Sequence, residues 1–263
     1  MGLSSGLMNR LKWKNRIFVN GQPHHNDYFV SAGDEITALL DEETPCYPPE
    51  FAEVSVIYED AHLLAVDKPA GMLIHPSRSR IDGTLANRVL GYYQKSGQKS
   101  AFHPVTRLDR DTFGIVLIAK NAHIHRLLSE TAMQKTYHAL VYGAPPQDTG
   151  VINAPIDRQP LPSLLRFVSD SGKASVTEYS VLEKHMQYSK LSLTPVTGRT
   201  HQLRVHCQYI GCPILGDPQY NSEFSREYSQ QLGLQSQLLC AKTLMFTHPI
   251  TKETLCLESK LDV

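Results

Sequence analysis

The run His103-Pro104-Val105-Thr106-Arg107-Leu108-Asp109-Arg110-Asp111-Thr112-Phe113-Gly114 sets one carboxylate, Asp109, between two guanidinium groups just before the apolar run Ile115 to Ala119. Arg107 and Arg110 both favour the ionised carboxylate, so Asp109 is expected to act as a nucleophile or base at neutral pH, not as a proton donor. Taken alone, an Arg-x-Asp-Arg cluster is more often a solvated ion-pair patch than an active site. Farther along, Thr136-Tyr137-His138-Ala139-Leu140-Val141-Tyr142 is rich in residue types that fit a pleated sheet, and propensity alone makes Tyr137 an ordinary half-buried tyrosine. From Thr200 to Ile210, Leu203, Cys207 and Ile210 recur at helical spacing and Gly211 offers a stop. Arg204 lies off that stripe, which is the place of a solvated side chain. The entry Gly198-Arg199-Thr200 brings backbone amides and a guanidinium to a helix start, an arrangement suited to a phosphate.

These residues need a scaffold. Strand-like runs at Ser55 to Ile57, Leu63 to Val66, Ile115 to Ala119, Tyr137 to Val141, Val176 to Leu182 and Leu191 to Pro195 alternate with fewer helices, notably Asn121 to Met133 with Ile124, Leu127 and Leu128 on one side. The order is not a regular strand-helix repeat, so the expected class is α+β, a mixed and mainly antiparallel sheet with flanking helices. Residues 144–173, with five prolines and two glycines, are expected to be rich in loops. Residues 1–42 read as a small separate module. In it Leu7, Met8 and Leu11 mark a helix turn carrying Arg10, Lys12 and Lys14, and Arg16 to Gly21 marks a strand running into an Asn-Gly turn. Val30 and Gly33 to Ile36 suggest a second turn and strand. The acidic, proline-rich stretch Asp41 to Glu50 favours an extended linker, so the expected division is a module at 1–42, a linker at 43–53 and a main domain at 54–263.

With 41% apolar and 20% charged residues, the 263-residue chain is expected to be a soluble globular protein with room for a substantial core. No apolar stretch approaches the length of a membrane span, and the N-terminus lacks the apolar core of a signal peptide, so a cytoplasmic location is expected. The cysteines Cys46, Cys207, Cys212, Cys240 and Cys256 are odd in number and form no Cys-x-x-Cys pair, which points to thiols. His201, His206, Cys207 and Cys212 fit no standard zinc spacing, and no metal is expected. Net charge is zero but segregated: Arg10, Lys12, Lys14 and Arg16 precede a stretch from Ile17 to Asp67 without Lys or Arg, while basic residues dominate from Arg78 to Arg110. Such basic segments suit a phosphate backbone, although a basic run is commonly just a solvated face.

Five blocks in fixed order resemble the pseudouridine synthases of the RluA type. Tyr58 to Asp60 with Ala65-Val66-Asp67-Lys68-Pro69-Ala70-Gly71 through His75-Pro76 is similar to the opening of that family's catalytic domain. Arg107-Leu108-Asp109 with Thr112-Phe113-Gly114 resembles its catalytic loop, and Lys135-Thr136-Tyr137 its tyrosine-bearing strand. Gly172-Lys173-Ala174 with Thr177-Glu178-Tyr179 is similar to a later hairpin. Gly198-Arg199-Thr200-His201-Gln202-Leu203-Arg204-Val205-His206, followed by Pro213 to Asp217, resembles the closing basic motif. Residues 1–42 resemble the latter part of an S4-like RNA-binding domain.

The resemblance implies an isomerase that detaches uracil from its ribose in ribosomal or transfer RNA, turns the ring and rejoins it through carbon, with no cofactor. Asp109 carries over as the essential carboxylate, acting on either the sugar or the base. Tyr137 would lie against the uracil face and Arg204 would pair with Asp109. Arg107 would fill the space left by a flipped-out nucleotide, Arg199 and His201 would join it in binding substrate, and residues 144–173 would close over the RNA. The expected partner is RNA, with no membrane and a monomeric chain. The sequence departs from the family pattern at Thr106, where a histidine is common, at Phe113, where a small hydroxyl residue is usual, and at Cys240-Ala241, where histidine-alanine is typical. Two other readings fit parts of the pattern: a non-catalytic RNA-binding protein with the same fold, and a hydrolase that uses Asp109 on a soluble nucleoside.

Overall fold

The computed structural model describes residues 5–24, 28–39, 47–77, 80–160, 162–163 and 165–263. Helix α1 (Ser5–Trp13) and three short strands, β1 (Ile17–Val19), β2 (Gln22–Pro23) and β3 (Ile36–Ala38), open the chain. The strands form an antiparallel sheet in the order β2-β1-β3. The expected Asn20-Gly21 turn links β1 to β2, with both residues at positive φ (51° and 77°). Most of the acidic, proline-rich stretch at 41–50 lies outside the described residues, as do Cys46 and Arg78. From Tyr47 the chain is already docked, with the Glu50 amide donating to the Asn87 carbonyl and Asn87 Nδ2 donating to the Pro48 carbonyl.

The rest of the chain builds one large sheet. Its elements are β4 (Ser55–Glu59), β5 (Leu63–Lys68), α2 (Leu85–Lys95), β6 (His103–Pro104), β7 (Phe113–Ala119), α3 (Ala122–Ser129), β8 (Met133–Tyr142) and β9 (Thr149–Asn153). A small hairpin of β10 (Ile156–Arg158) and β11 (Arg166–Val168) stands apart from the sheet. Then come β12 (Val176–Lys184), β13 (Tyr188–Pro195), α4 (Gln202–Tyr209), α5 (Glu223–Gln231), β14 (Leu239–Thr247) and β15 (Thr254–Glu258). The strand order is β4-β5-β7-β14-β8-β13-β12-β9, with β15 also on β14 and β6 on β7. Among the described residues one pair is parallel, β7 with β14 at Phe113–Cys240 and Gly114–Ala241. The class is therefore α+β, with a mixed and mainly antiparallel sheet.

Alternation along β5 and β7 divides the core between the two faces of the sheet. Leu64, Val66, Val116 and Ile118 pack against Leu85, Ala86, Val89, Leu90 and Tyr93 of α2. That helix starts on a reciprocal cap between Thr84 and Asn87. On the opposite face, Leu63, Ala65, Ile115, Leu117 and Leu244 pack against Ile124 and Leu128 of α3. Ala139, Val141, Leu191 and Leu193 receive Leu203 and Cys207 of α4. Register places the last two clusters on one face, because Leu244 opposes Lys135, Ala241 opposes Tyr137 and Tyr137 opposes Leu193.

Two expectations need correction. The helix expected from Asn121 to Met133 stops at Ser129, because Met133 is taken into the sheet opposite Phe246 and packs on the α3 cluster. Residues 144–173 hold three strands, β9 to β11. Their prolines sit outside these strands, and Gly150 lets β9 pass against the Tyr179 ring, which a Cβ there would meet at 2.6 Å. Helices α2 and α5 were not anticipated. No helix among the described residues is long and apolar enough to cross a membrane.

Candidate active site

The loop bearing Asp109 runs from β6 to β7 and is tied down at both ends. The Val105 amide donates to the Leu117 carbonyl at 2.8 Å, and the Leu117 amide donates to Thr106 Oγ1 at 2.9 Å. Thr106 is buried, so its short hydroxyl completes the ladder at this point. At the other end Thr112 is buried and its hydroxyl accepts from Gln237 Nε2 at 3.3 Å. Between these anchors Leu108 packs on the α2 cluster, and Asp109 keeps its side chain 32% exposed.

Lys68, at the end of β5, is wholly buried and holds the loop from below. Its ammonium donates to the carbonyls of Pro69, Met72 and Arg110 at 3.0, 2.9 and 2.8 Å. Burial, only partly offset by Asp111 and Asp109, pulls the Lys68 pKa down to about 8. Asp67 beside it binds the Ser259 hydroxyl and accepts from the Lys260 amide at 3.0 Å, which fastens the C-terminal segment to the same strand.

The guanidinium that meets Asp109 comes from α4 and not from the loop. Arg204 is 4% exposed, which corrects the expectation of a solvated side chain off the apolar stripe. Its Nε and Nη2 donate to the two oxygens of Asp217 at 2.7 and 2.8 Å, Nη2 also reaches Gln219 Oε1 at 3.0 Å, and Nη1 reaches Asp109 Oδ2 at 3.2 Å. The face of the guanidinium lies over the Tyr220 ring, 4.8 Å from its centroid. Burial opposes the charge on Arg204, but Asp217 and Asp109 outweigh it and raise the pKa further. Asp217 is itself fixed by the backbone amides of Gln219 and Tyr220, at 2.9 and 3.0 Å.

His201 stands at the start of α4 in the left-handed region, at φ 57°. Such a conformation in a non-glycine residue marks a constrained position. The Tyr220 hydroxyl accepts from the Arg166 amide at 2.9 Å and lies 2.8 Å from His201 Nδ1. The other ring nitrogen, Nε2, stands 3.8 Å from Asp109 Oδ2. Burial lowers the His201 pKa against the pull of Asp109, keeping the ring neutral at pH 7.

Tyr137 is half-buried on β8 and shares a pocket with Thr106, Ile115, Lys135, Ala241, Thr243 and Leu244. Burial first and the charge of Asp109 second push its phenol up to about 12, so it keeps its proton near neutrality. Asp109, Tyr137, Arg204 and His201 thus come together from β8, α4 and the loop. Arg107 is exposed at the outer side of the loop, near enough to His75 to help burial lower that imidazole's pKa. Arg110 is committed elsewhere: it forms two hydrogen bonds of 2.9 Å with Asp111, so the expected Arg110–Asp109 pairing is corrected. Arg199 is exposed and its Nε donates to the Ala174 carbonyl at 3.2 Å, while its amide donates to Gln202 Oε1 at 3.0 Å. That amide is therefore taken and is not presented to a phosphate.

Reading the sequence did not single out Lys68, Asp217, Gln219 or Tyr220. A lysine that follows four apolar or buried residues in a strand was one available signal. A buried arginine's need for an acid was another, but it becomes visible only once Arg204 is known to be buried.

A buried arginine aiming a partly exposed carboxylate beside a protonated phenol is suited to nucleophilic or general-base chemistry on a substrate arriving from solvent. The sequence profile described as RNA pseudouridylate synthase matches residues 62–209, which hold all four of these residues. The chain is 33% identical to YjbO of Bacillus subtilis (strain 168), named as an uncharacterized RNA pseudouridine synthase, over 97% of this chain and 90% of that protein. It is also 33% identical to the ribosomal large subunit pseudouridine synthase C of Vibrio cholerae, over 99% of this chain and 86% of that one. Among solved structures it resembles human RNA pseudouridylate synthase domain containing 1, with a TM-score of 0.66, 27% identity, and coverage of 82% of this chain and 86% of the other. On the matching profile and on relatives a third identical along nearly its full length, the chain belongs to the RluA-type RNA pseudouridine synthases, a family of isomerases.

Proposed function

We propose that the protein converts specific uridines of ribosomal RNA to pseudouridine, with Asp109 as the essential carboxylate. The observation that carries this reading is the 3.2 Å contact between Asp109 Oδ2 and an Arg204 whose other nitrogens are committed to Asp217 and Gln219. A guanidinium held this way keeps the carboxylate ionised and fixes its direction, so little reorganisation is needed when it attacks the sugar or the base. Tyr137 lies against the uracil and remains a neutral phenol, a donor and a stacking face rather than a base. His201 Nε2 supports the same oxygen of Asp109.

A uridine in a paired stem must leave the stack to reach Asp109, and exposed Arg107 fills the space it vacates. Arg199, also exposed, contacts the backbone nearby. Residues 1–42 form an RNA-contacting module whose helix carries Lys12, with Lys14 just past its end, and the monomer is the working unit. The ribosomal substrate is favoured over transfer RNA because relatives such as the Vibrio cholerae protein are named for the large ribosomal subunit.

The test is to map pseudouridine in ribosomal and transfer RNA from cells lacking the protein, and to restore the missing sites with purified enzyme. Wild-type enzyme is expected to restore them, while Asp109→Asn loses at least about a thousandfold in rate with RNA binding retained. An Asp109→Asn enzyme of normal rate refutes the catalytic assignment; an unchanged ribosomal map refutes the substrate.

A further inference from the structure

Lys135 and Tyr137 are two residues apart on β8 and therefore point to the same face, about 7 Å from one another along the strand. Both line the pocket shared with Thr106, Ile115, Ala241, Thr243 and Leu244. The walls on the Lys135 side are apolar, since Leu244 stands directly opposite it across the β8–β14 ladder. Among the described residues no carboxylate pairs with Lys135 and none of its hydrogen bonds has an acceptor there. Burial alone lowers its pKa. A half-buried amine without a partner costs stability, and such a group is understandable where a ligand brings the acceptor.

The pocket is small and partly open to solvent, with room for about one water. That is the size of a single oxygen atom and too small for a ring. Its walls include a second donor: Thr106 Oγ1 already accepts from the Leu117 amide, which leaves its hydroxyl hydrogen to give. A flat ring lying on Tyr137 above this void would insert one exocyclic oxygen between the Lys135 amine and the Thr106 hydroxyl. Uracil carries two such carbonyl oxygens, whereas cytosine replaces the one at position 4 with an amino group, a donor that would meet these donors head on.

We infer that Lys135 is a base-binding residue that donates to the position-4 carbonyl oxygen of the target uracil and so selects uridine over cytidine. This rests on the proposed synthase activity and extends it to the choice of base. Transcripts of large ribosomal RNA made with uridine, 4-thiouridine or 2-thiouridine are the probes, because sulfur is a weaker acceptor than oxygen. Turnover is read as tritium released from carbon 5, which must lose its hydrogen when the ring rejoins through that atom. Lys135→Met is expected to lower kcat/KM about tenfold to a hundredfold on the uridine transcript, and Lys135→Arg to recover part of the loss. The 4-thiouridine transcript is expected to slow the wild type but cause no further loss in Lys135→Met, whereas the effect of 2-thiouridine adds to that of the substitution; non-additivity with 2-thiouridine instead overturns the selection of uridine over cytidine.

A merely structural lysine would instead give losses that add for both thio-transcripts, and that result overturns the inference, as does wild-type kcat/KM in Lys135→Met. If Lys135→Met fails to fold, Lys135→Gln, which keeps a donor, is compared with the wild type in the same way. Should the wild type release no tritium from ribosomal transcripts, the ribosomal reading fails. Lys135 is then judged by the same comparison on transfer RNA transcripts and, in the Asp109→Asn background, by whether Lys135→Met removes a preference for oligouridylate over oligocytidylate in binding.

Discussion

Arg204 gives Asp217 two of its nitrogens, at 2.7 and 2.8 Å, and gives Asp109 the remaining one, at 3.2 Å. The two acids are not equivalent. Asp217 has no exposed side-chain surface, whereas that of Asp109 is 32% exposed, so one carboxylate orients the arginine and the other is left reaching solvent. Asp217 is thus a positioning residue acting through Arg204.

Replacing Asp217 by Ala leaves a guanidinium buried without its main partner. Loss of one member of a buried pair commonly costs about 3 to 5 kcal/mol, and the lower end is expected here because Asp109 and Gln219 remain. Asp217→Asn keeps shape and one acceptor and is expected to cost about half as much. Denaturant unfolding measures both, and kcat is expected to fall in both while KM changes little.

Lys68→Met removes the donor from three carbonyls, including that of Arg110 in the Asp109 loop. Buried acceptors left unmet predict a loss of about 3 kcal/mol, together with a lower kcat as the loop loosens. The pH dependence has a definite sign. The Lys68 pKa falls from 10.5 to about 8 on folding, so between these values the unfolded chain binds more protons and stability rises with pH. Buried thiols and phenols with raised pKa pull the other way, so the readout is the difference: in thermal melting at pH 8 and pH 10 the wild type should gain stability relative to Lys68→Met as the pH rises.

Gly114 sits at φ +103°, where a Cβ would stand 2.4 Å from the Ala241 carbonyl oxygen. It is also half of the parallel contact that joins β7 to β14. Gly114→Ala is expected to cost about 3 kcal/mol or more, from left-handed strain and displacement of the strand. Activity should fall further than stability accounts for, since the Asp109 loop ends at this point. Calorimetry and kcat/KM measured on the same preparation would show the difference.

The amino-acid order alone disclosed the reaction family, because chemistry of this kind leaves blocks such as Arg107-Leu108-Asp109 and Gly198 to Arg204 in fixed sequence. It also disclosed β4, β5, β7, β8, β12 and β13, since runs such as Leu63 to Val66 and Ile115 to Ala119 are local signals, but not β14, which joins β7 to β8, or β15. Strand-poor segments misled: the prolines of 144–173 concealed β9 to β11, and Met133 looked helical until its partner Phe246 was known. Charge spacing alone gave Asp109 the partners Arg107 and Arg110; the family resemblance named Arg204, and the tertiary structure supplies that contact. Arg110 is the neighbour in sequence, yet the loop turns it to Asp111, while Arg204, 95 positions away, is delivered by α4. Ion-pair choice depends on distance and desolvation in space, and both are set by how helix and sheet pack, which no local pattern of residues encodes.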